Sequence, residues 1–187
     1  MVIYRAIKTN LLTQGFYDNK NDVYRQWGMT CHGGNDWSAQ DKEPVYFDCS
    51  CAGFVLNTEI DNNGGLGINI ITETPEGIFK HRYWHLKEFK VVAGQRVESG
   101  DLIGLADNTG VSTGTHLHRD AKEMVKVDGI YEIKNRDNGT FGTIDYSKWF
   151  VNIWIVDQVE NLKKTLANLQ QQVSVIQKII NWLKGRK

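Results

Sequence analysis

Five histidines occur in the 187 residues, and their spacing is where chemistry could sit. His32 and Asp36 stand four apart in Cys31-His32-Gly33-Gly34-Asn35-Asp36-Trp37. The glycines disfavour a helix, so this segment reads as a turn that brings imidazole and carboxylate together. His116 and His118 stand two apart in Thr115-His116-Leu117-His118-Arg119-Asp120, after a glycine-punctuated run from Asn108 to Gly114. Strand side chains alternate between faces, so both imidazoles and Asp120 share one face and Leu117 turns to the core. By the same rule His81, Tyr83 and His85 are expected on one face of a second strand. Two imidazoles and one carboxylate suit a tetrahedral zinc ion, with the fourth position left to water whose pKa falls to about 7. A further pair of imidazoles there could take a proton from that water and stabilise an oxyanion. Taken singly, each spacing also occurs in surface turns and solvated strands.

Short β-type segments must position these groups: Tyr46–Phe47, Gly53–Leu56, Ile68–Thr72, Ile78–Leu86, Lys90–Val92 and Leu102–Leu105. Turn signals bound them at Asp61-Asn62-Asn63-Gly64-Gly65, Pro75-Glu76-Gly77 and Asn108-Thr109-Gly110. The pattern predicts a mainly β protein, an antiparallel sheet of sandwich or barrel type. After about residue 145 the character changes. Val159, Leu162, Leu166, Leu169, Val173, Ile176, Ile180 and Leu183 follow gaps of three and four, a heptad that Gly185 ends. The expected organisation is therefore residues 1–145 as a β domain and 146–187 as a long C-terminal helix. So narrow an apolar stripe suits a second helix better than a broad sheet, which favours a homo-oligomer through residues 157–184 over fold-back.

Lys+Arg and Asp+Glu both number 22, and this neutral balance argues against a nucleic-acid binder. The longest nearly unbroken apolar run, Trp149 to Val156, is far short of the roughly 20 residues of a membrane span. The first residues, with Arg5 and Lys8 among the apolar ones, lack the pattern of a signal peptide. Three cysteines are too few for a disulfide scaffold and suggest reduced thiols in a protein made in the cytoplasm. From Asp157 onward bases predominate, so the tail could touch an anionic membrane or wall surface; the plainer reading is a solvated helix face.

In combination the motifs resemble the M23 family of zinc metallopeptidases, the lysostaphin-like group. The residues that carry the resemblance begin with Leu12-Thr13-Gln14-Gly15-Phe16, Tyr24 to Gly28 and His32 to Asp36. Pro44-Val45-Tyr46, Tyr83-Trp84-His85-Leu86, Val92 to Val97 and Gly100 to Gly104 follow in the family's order, and Asn108-Thr109-Gly110 and Ser112 to His118 complete it. The resemblance implies His32, Asp36 and His118 as ligands of one Zn²⁺. It implies His85 and His116 as the catalytic pair beside the water, without dividing their roles, and Tyr83 as a residue of the substrate groove. It also implies a mainly antiparallel β fold and cleavage of peptide bonds in bacterial peptidoglycan. A wall-cutting enzyme without an export signal looks like a phage-type lysin or virion-associated enzyme acting at the bacterial cell wall.

Some positions depart from the family's pattern. Arg119 replaces the usual phenylalanine after the last ligand, and Asp120 the usual glutamate. This is the one feature that lends weight to the alternative, a non-catalytic wall-binding or scaffolding relative assembled through its helix. Cys31 precedes the first ligand, with its thiol expected to point away. Cys49-Ser50-Cys51 reads as core or turn packing. His81 has no counterpart in the motif and is expected at the solvent or groove edge.

Overall fold

The structure is a computed structural model that describes residues 1–9, 11–19, 23–150, 165–166, 168–178 and 181. The chain divides into two compact units, Met1–Phe150 and Val151–Lys187. Among the described residues the first unit holds ten strands. They are β1 (Leu12–Gln14), β2 (Asn35–Ser38), β3 (Pro44–Tyr46), β4 (Gly53–Asp61), β5 (Gly65–Thr74), β6 (Gly77–Phe89), β7 (Arg96–Val97), β8 (Leu102–Ala106), β9 (His116–Val127) and β10 (Ile130–Ile133). A short α1 (Val23–Gln26) lies between β1 and β2.

All the strand pairs are antiparallel, in the order β1-β2-β9-β6-β5-β4-β7, with β10 on β9 and β8 bridging β6 to β3. Two of the hairpins use the turn residues the sequence signalled. Asp61 Oδ1 accepts the N–H groups of Asn63 and Gly64, and Gly65 takes φ +71°, which closes β4 onto β5. Gly77 turns β5 into β6. The mainly β antiparallel expectation therefore holds, but Lys90–Val92 is a bend and not a strand, β1 carried no clear sequence signal, and β10 follows a two-residue Asp128-Gly129 turn, both residues at positive φ.

The core lies on one face of the long strands. Ile68, Ile70, Tyr83, Leu86, Leu117 and Ala121 pack there with Val45, Phe47, Val55, Val97 and Ile103 from the flanking strands. Ile3, Ile7 and Tyr146 close it from the two ends of the unit, and Ile3 bridges to both Cys49 and Phe150. Cys49 is buried in this core, as packing rather than metal chemistry requires.

In the second unit the described residues are helical, and Leu166, Leu169, Val173 and Ile176 are exposed. The other heptad positions, Val159, Leu162, Ile180 and Leu183, lie outside the described residues. Among the described residues no helix is long and apolar enough to cross a membrane.

Candidate metal centre

Strand pairing places the site. β2 runs antiparallel to the first half of β9 with Asp36 opposite His118, and β6 flanks the other side of β9 with Trp84 opposite His118. Gly34 makes the first pairing possible: a Cβ there would come within 2.7 Å of the His118 ring and 2.8 Å of the Arg119 carbonyl. His32 sits just before β2, against the Tyr24 ring, which is tilted by 32° at 5.4 Å between ring centres.

His32, Asp36 and His118 converge. The His32 Nε2 atom is 3.0 Å from His118 Nδ1 and 3.2 Å from Asp36 Oδ1, and the third edge of the triangle is 2.8 Å. Ligand atoms on a tetrahedral zinc, at bonds of about 2.0–2.1 Å, lie roughly 3.3–3.4 Å apart, so the triangle is already close to the required size.

Hydrogen bonding behind the triangle fixes which nitrogen faces it. The Gly15 carbonyl can only accept, so His32 Nδ1 donates to it at 3.0 Å and turns the Nε2 lone pair inward. His118 Nε2 donates to Asp120 Oδ2 at 3.2 Å, which leaves Nδ1 to the triangle. Asp120 is fully buried and also accepts from Arg82 Nε at 2.8 Å. Three acceptors then meet at about hydrogen-bond distance, an arrangement that only a cation between them satisfies. Without a metal a proton fills that need. Burial disfavours a charged His118, but hydrogen bonds to Asp120 and Asp36 outweigh it and raise its pKa to about 9. Asp36 is likewise opposed by burial, yet His118 and His32 hold its carboxyl well below the usual range. The donor set, its size and its outer partners all fit a zinc ion.

The second pair of imidazoles lies beside the triangle. His85 and His116 have ring centres 4.4 Å apart, and His116 Nε2 is 3.7 Å from Asp36 Oδ1. Each donates Nδ1–H to a carbonyl, His85 to Thr109 at 2.7 Å and His116 to Gly114 at 2.8 Å, so each keeps Nε2 as an acceptor. Burial, then the neighbouring His116 and His118, lowers the His85 pKa to about 4, so this ring is neutral at pH 7.

Simple alternation places His116, His118 and Asp120 on one face as expected, with Leu117 fully buried behind them. It fails for His81, Tyr83 and His85. Between Tyr83 and Leu86 the β6 strand carries one residue more than β5 opposite it, and His85 takes φ +62°. The bulge turns His85 to the metal side, while His81 and Tyr83 face the core. His81 is therefore not at a groove edge but fully buried, with Thr72 Oγ1 2.9 Å from Nε2 and the Arg119 guanidinium 2.8 Å from Nδ1. Tyr83 does not line the groove either: it is fully buried and its hydroxyl donates to Asp48 at 2.6 Å. Trp84, to which the sequence assigned no role beyond its place in the motif, faces the metal side instead. Its indole lies on the backbone at Gly64 and Gly67, where a Cβ would come within 2.5 and 2.4 Å of it.

The two departures also find places. Arg119 is buried on the core face, where it forks onto Asp48 at 3.0 and 3.1 Å and lies between the rings of Tyr83 and Tyr146. An apolar site has thus become a fully paired ionic one. Cys31 is outside the convergent group, with its sulfur beside the Thr30 hydroxyl at 3.7 Å.

This arrangement has counterparts among known proteins. Peptidoglycan DD-endopeptidase ShyA of Vibrio cholerae is 37% identical over 87 residues, 46% of this chain and 19% of that protein. Glycyl-glycine endopeptidase ALE-1 of Staphylococcus capitis is 40% identical over 55 residues, 29% of this chain and 15% of that protein. The chain thus aligns to about a fifth of the length of such relatives. A crystal structure of a zinc containing peptidase from Vibrio cholerae superposes with a TM-score of 0.54 at 29% identity, over 65% of this chain and 36% of that one. The model of peptidase family M23 matches residues 30–128, more than half of the sequence and the stretch that supplies His32, Asp36, His85, His116 and His118, so this protein belongs to that family.

Proposed function

We propose that the chain is a zinc-dependent endopeptidase that hydrolyses peptide bonds of bacterial peptidoglycan. The observation that carries the reading is the triangle of three acceptors, its two imidazoles each locked inward by a second hydrogen bond, with two further imidazoles beside it that each keep Nε2 as an acceptor. His32, Asp36 and His118 would hold the ion. Bound there, zinc supplies a water activated at neutral pH and a Lewis acid for the scissile carbonyl.

The remaining steps belong to the protein. Asp120 accepts the outer proton of His118, which fixes its tautomer and raises its basicity as a ligand. His85 and His116 are the groups for proton transfer and oxyanion stabilisation, since each keeps one nitrogen anchored and one in reserve. The strained His85 backbone is what brings that ring to the site, in keeping with the clustering of such conformations at functional positions. Peptidoglycan as substrate rests on the likeness to the peptidoglycan DD-endopeptidase ShyA.

In the same reading residues 1–145 are the catalytic part and residues 157–184 an assembly helix. The exposed Leu166, Leu169, Val173 and Ile176 support the latter. Light scattering of the full chain and of a chain ended before Asp157 tests it: the mass per particle falls to the monomer on truncation, and equal monomer masses contradict it.

The catalytic reading is tested by metal content and wall solubilisation. Protein loaded with zinc retains one ion per chain and releases soluble fragments from purified walls; Asp36→Ala loses both. Release that persists in Asp36→Ala overturns it.

A further inference from the structure

The metal face of the sheet continues past the candidate centre as a ladder of cross-strand pairs between β6 and β9. Trp84 stands opposite His118, Arg82 opposite Asp120, and Lys80 opposite Lys122. The third rung sets two lysines face to face. Like charges directly opposite one another destabilise a strand pair, and here both are partly or fully shielded from water. Lys122 is buried and Lys80 half-buried, and burial followed by Arg82 lowers the pKa of each. Arg136 adds a further positive charge to the same neighbourhood.

Asp120 and Glu59 offset part of this positive charge, but both also have other partners. Asp120 serves Arg82 and His118, and Glu59 accepts from Asn69 Nδ2 at 2.7 Å. Lys122 donates to the Phe141 carbonyl at 2.7 Å, a neutral partner. Among the described residues the Lys80 side chain makes no hydrogen bond or ion pair, and its charge is met only at longer range by Asp120 and Glu59. One strand over, Asn69 stands opposite Arg82, and its Oδ1 is a buried acceptor without a donor. Asn57 and Glu59, both acceptors, hold its Nδ2 and so fix which way the amide faces. A crowded, only partly compensated pair of cations on the same face as an unmet acceptor is costly for folding alone. A ligand carrying an anion and an N–H group satisfies both.

We propose that the Lys80–Lys122 rung is a subsite for a carboxylate of the peptide substrate, so that this site takes acid-bearing peptides in preference to neutral ones such as glycine bridges. The inference rests on the endopeptidase reading and narrows its substrate. The rung lies four residues along β9 from His118, about 13 Å at 3.3 Å per residue. An extended peptide covers that distance in about four residues, so the carboxylate belongs to a residue near the cleaved bond but not at it.

The test uses the zinc-loaded full chain and two sets of cross-linked wall peptides that differ only in whether their side-chain carboxylates are free or amidated. We expect kcat/KM to favour the free-acid set by about tenfold or more, the scale of a hydrogen bond to a charged group. In Lys80→Met that ratio collapses towards one, Lys80→Arg restores it, and added salt lowers it in the wild type. Equal rates on both sets in the wild type, or a Lys80→Met variant that slows both alike, overturns the subsite. Anisotropy titration of both peptide sets separates the two readings. If neither set is cut, the endopeptidase reading falls, and acid-dependent binding lost in Lys80→Met still supports the subsite, whereas equal binding of the two sets rejects it. Lys80→Met relieves a like-charge pair, and Lys80→Gln serves as a second neutral variant should it fold poorly.

Discussion

Asp120 accepts a hydrogen bond from His118 across two residues of one strand, and the same carboxylate accepts another from Arg82 on the neighbouring strand. The candidate ligand is thus oriented by a buried acid that is itself oriented by a half-buried base. Opposed by burial but favoured by Arg82 and His118, Asp120 stays ionised well below the usual carboxylate range. Asp120→Asn keeps the shape and removes the charge. Chelator competition should show zinc held about 10- to 100-fold more weakly, the usual cost of losing such a partner. Unchanged affinity would mean that His118 is positioned by packing alone.

Gly34 makes a sharper steric prediction. Any side chain there meets the His118 ring or the Arg119 carbonyl, so β2 must withdraw from β9. Gly34→Ala should therefore lower zinc stoichiometry well below one per chain while the far-ultraviolet circular dichroism of the sheet persists. A variant that binds zinc normally would show that the strand separation tolerates a methyl group.

The buried Arg119–Asp48 pair predicts an asymmetry in stability. Arg119→Met leaves the Asp48 charge buried with only the Tyr83 hydroxyl from its former set of side-chain partners, which costs about 3–5 kcal/mol on the scale of broken buried pairs. Asp48→Asn in the Arg119→Met background removes that charge and should recover part of the loss. Urea unfolding of the two single variants and the double variant measures the coupling. Additive losses would show that the two side chains do not act as a pair.

Lys122 gives stability a pH dependence. Burial, then Arg82, brings its pKa down to about 7 in the folded protein, while an unfolded lysine titrates near 10.4. Between those values the unfolded chain binds more protons, so this group makes stability rise with pH, with its full penalty present below about pH 7. Thermal unfolding of the wild type and Lys122→Met from pH 6 to 10 should differ in slope, the variant being flatter. Parallel curves would contradict the shift.

The part of this site that could be read in the sequence is the part governed by local geometry. A period of two puts His116, His118 and Asp120 on one face wherever that strand lies, and Gly33-Gly34 marks the turn that carries His32 towards Asp36. The remainder depended on partners far away in the chain. Nothing in Tyr83-Trp84-His85 reveals a bulge, because the extra residue is defined only against β5 and by the φ of His85. Gly64 and Gly67, which leave room for Trp84, were the available hint. Arg119 looked like a charge in an apolar place because its partner Asp48 lies 71 positions away. His81 misled for the same reason, since burial of a histidine beside that guanidinium is a tertiary fact. In the fold, the hairpins at residues 61–65 and 75–77 announced themselves through turn chemistry, and Asp128-Gly129 before β10 carries the same kind of signal, whereas β1 exists only because β2 offers it an edge.

The most direct test of the central claim is mass spectrometry of fragments released from purified peptidoglycan by the zinc-loaded protein, with and without chelator. The account predicts fragments bearing new amino termini, abolished by chelator and by His118→Ala, with the glycan chains uncut. Release that survives chelator, or none from several wall chemistries by protein holding one zinc per chain, would contradict it.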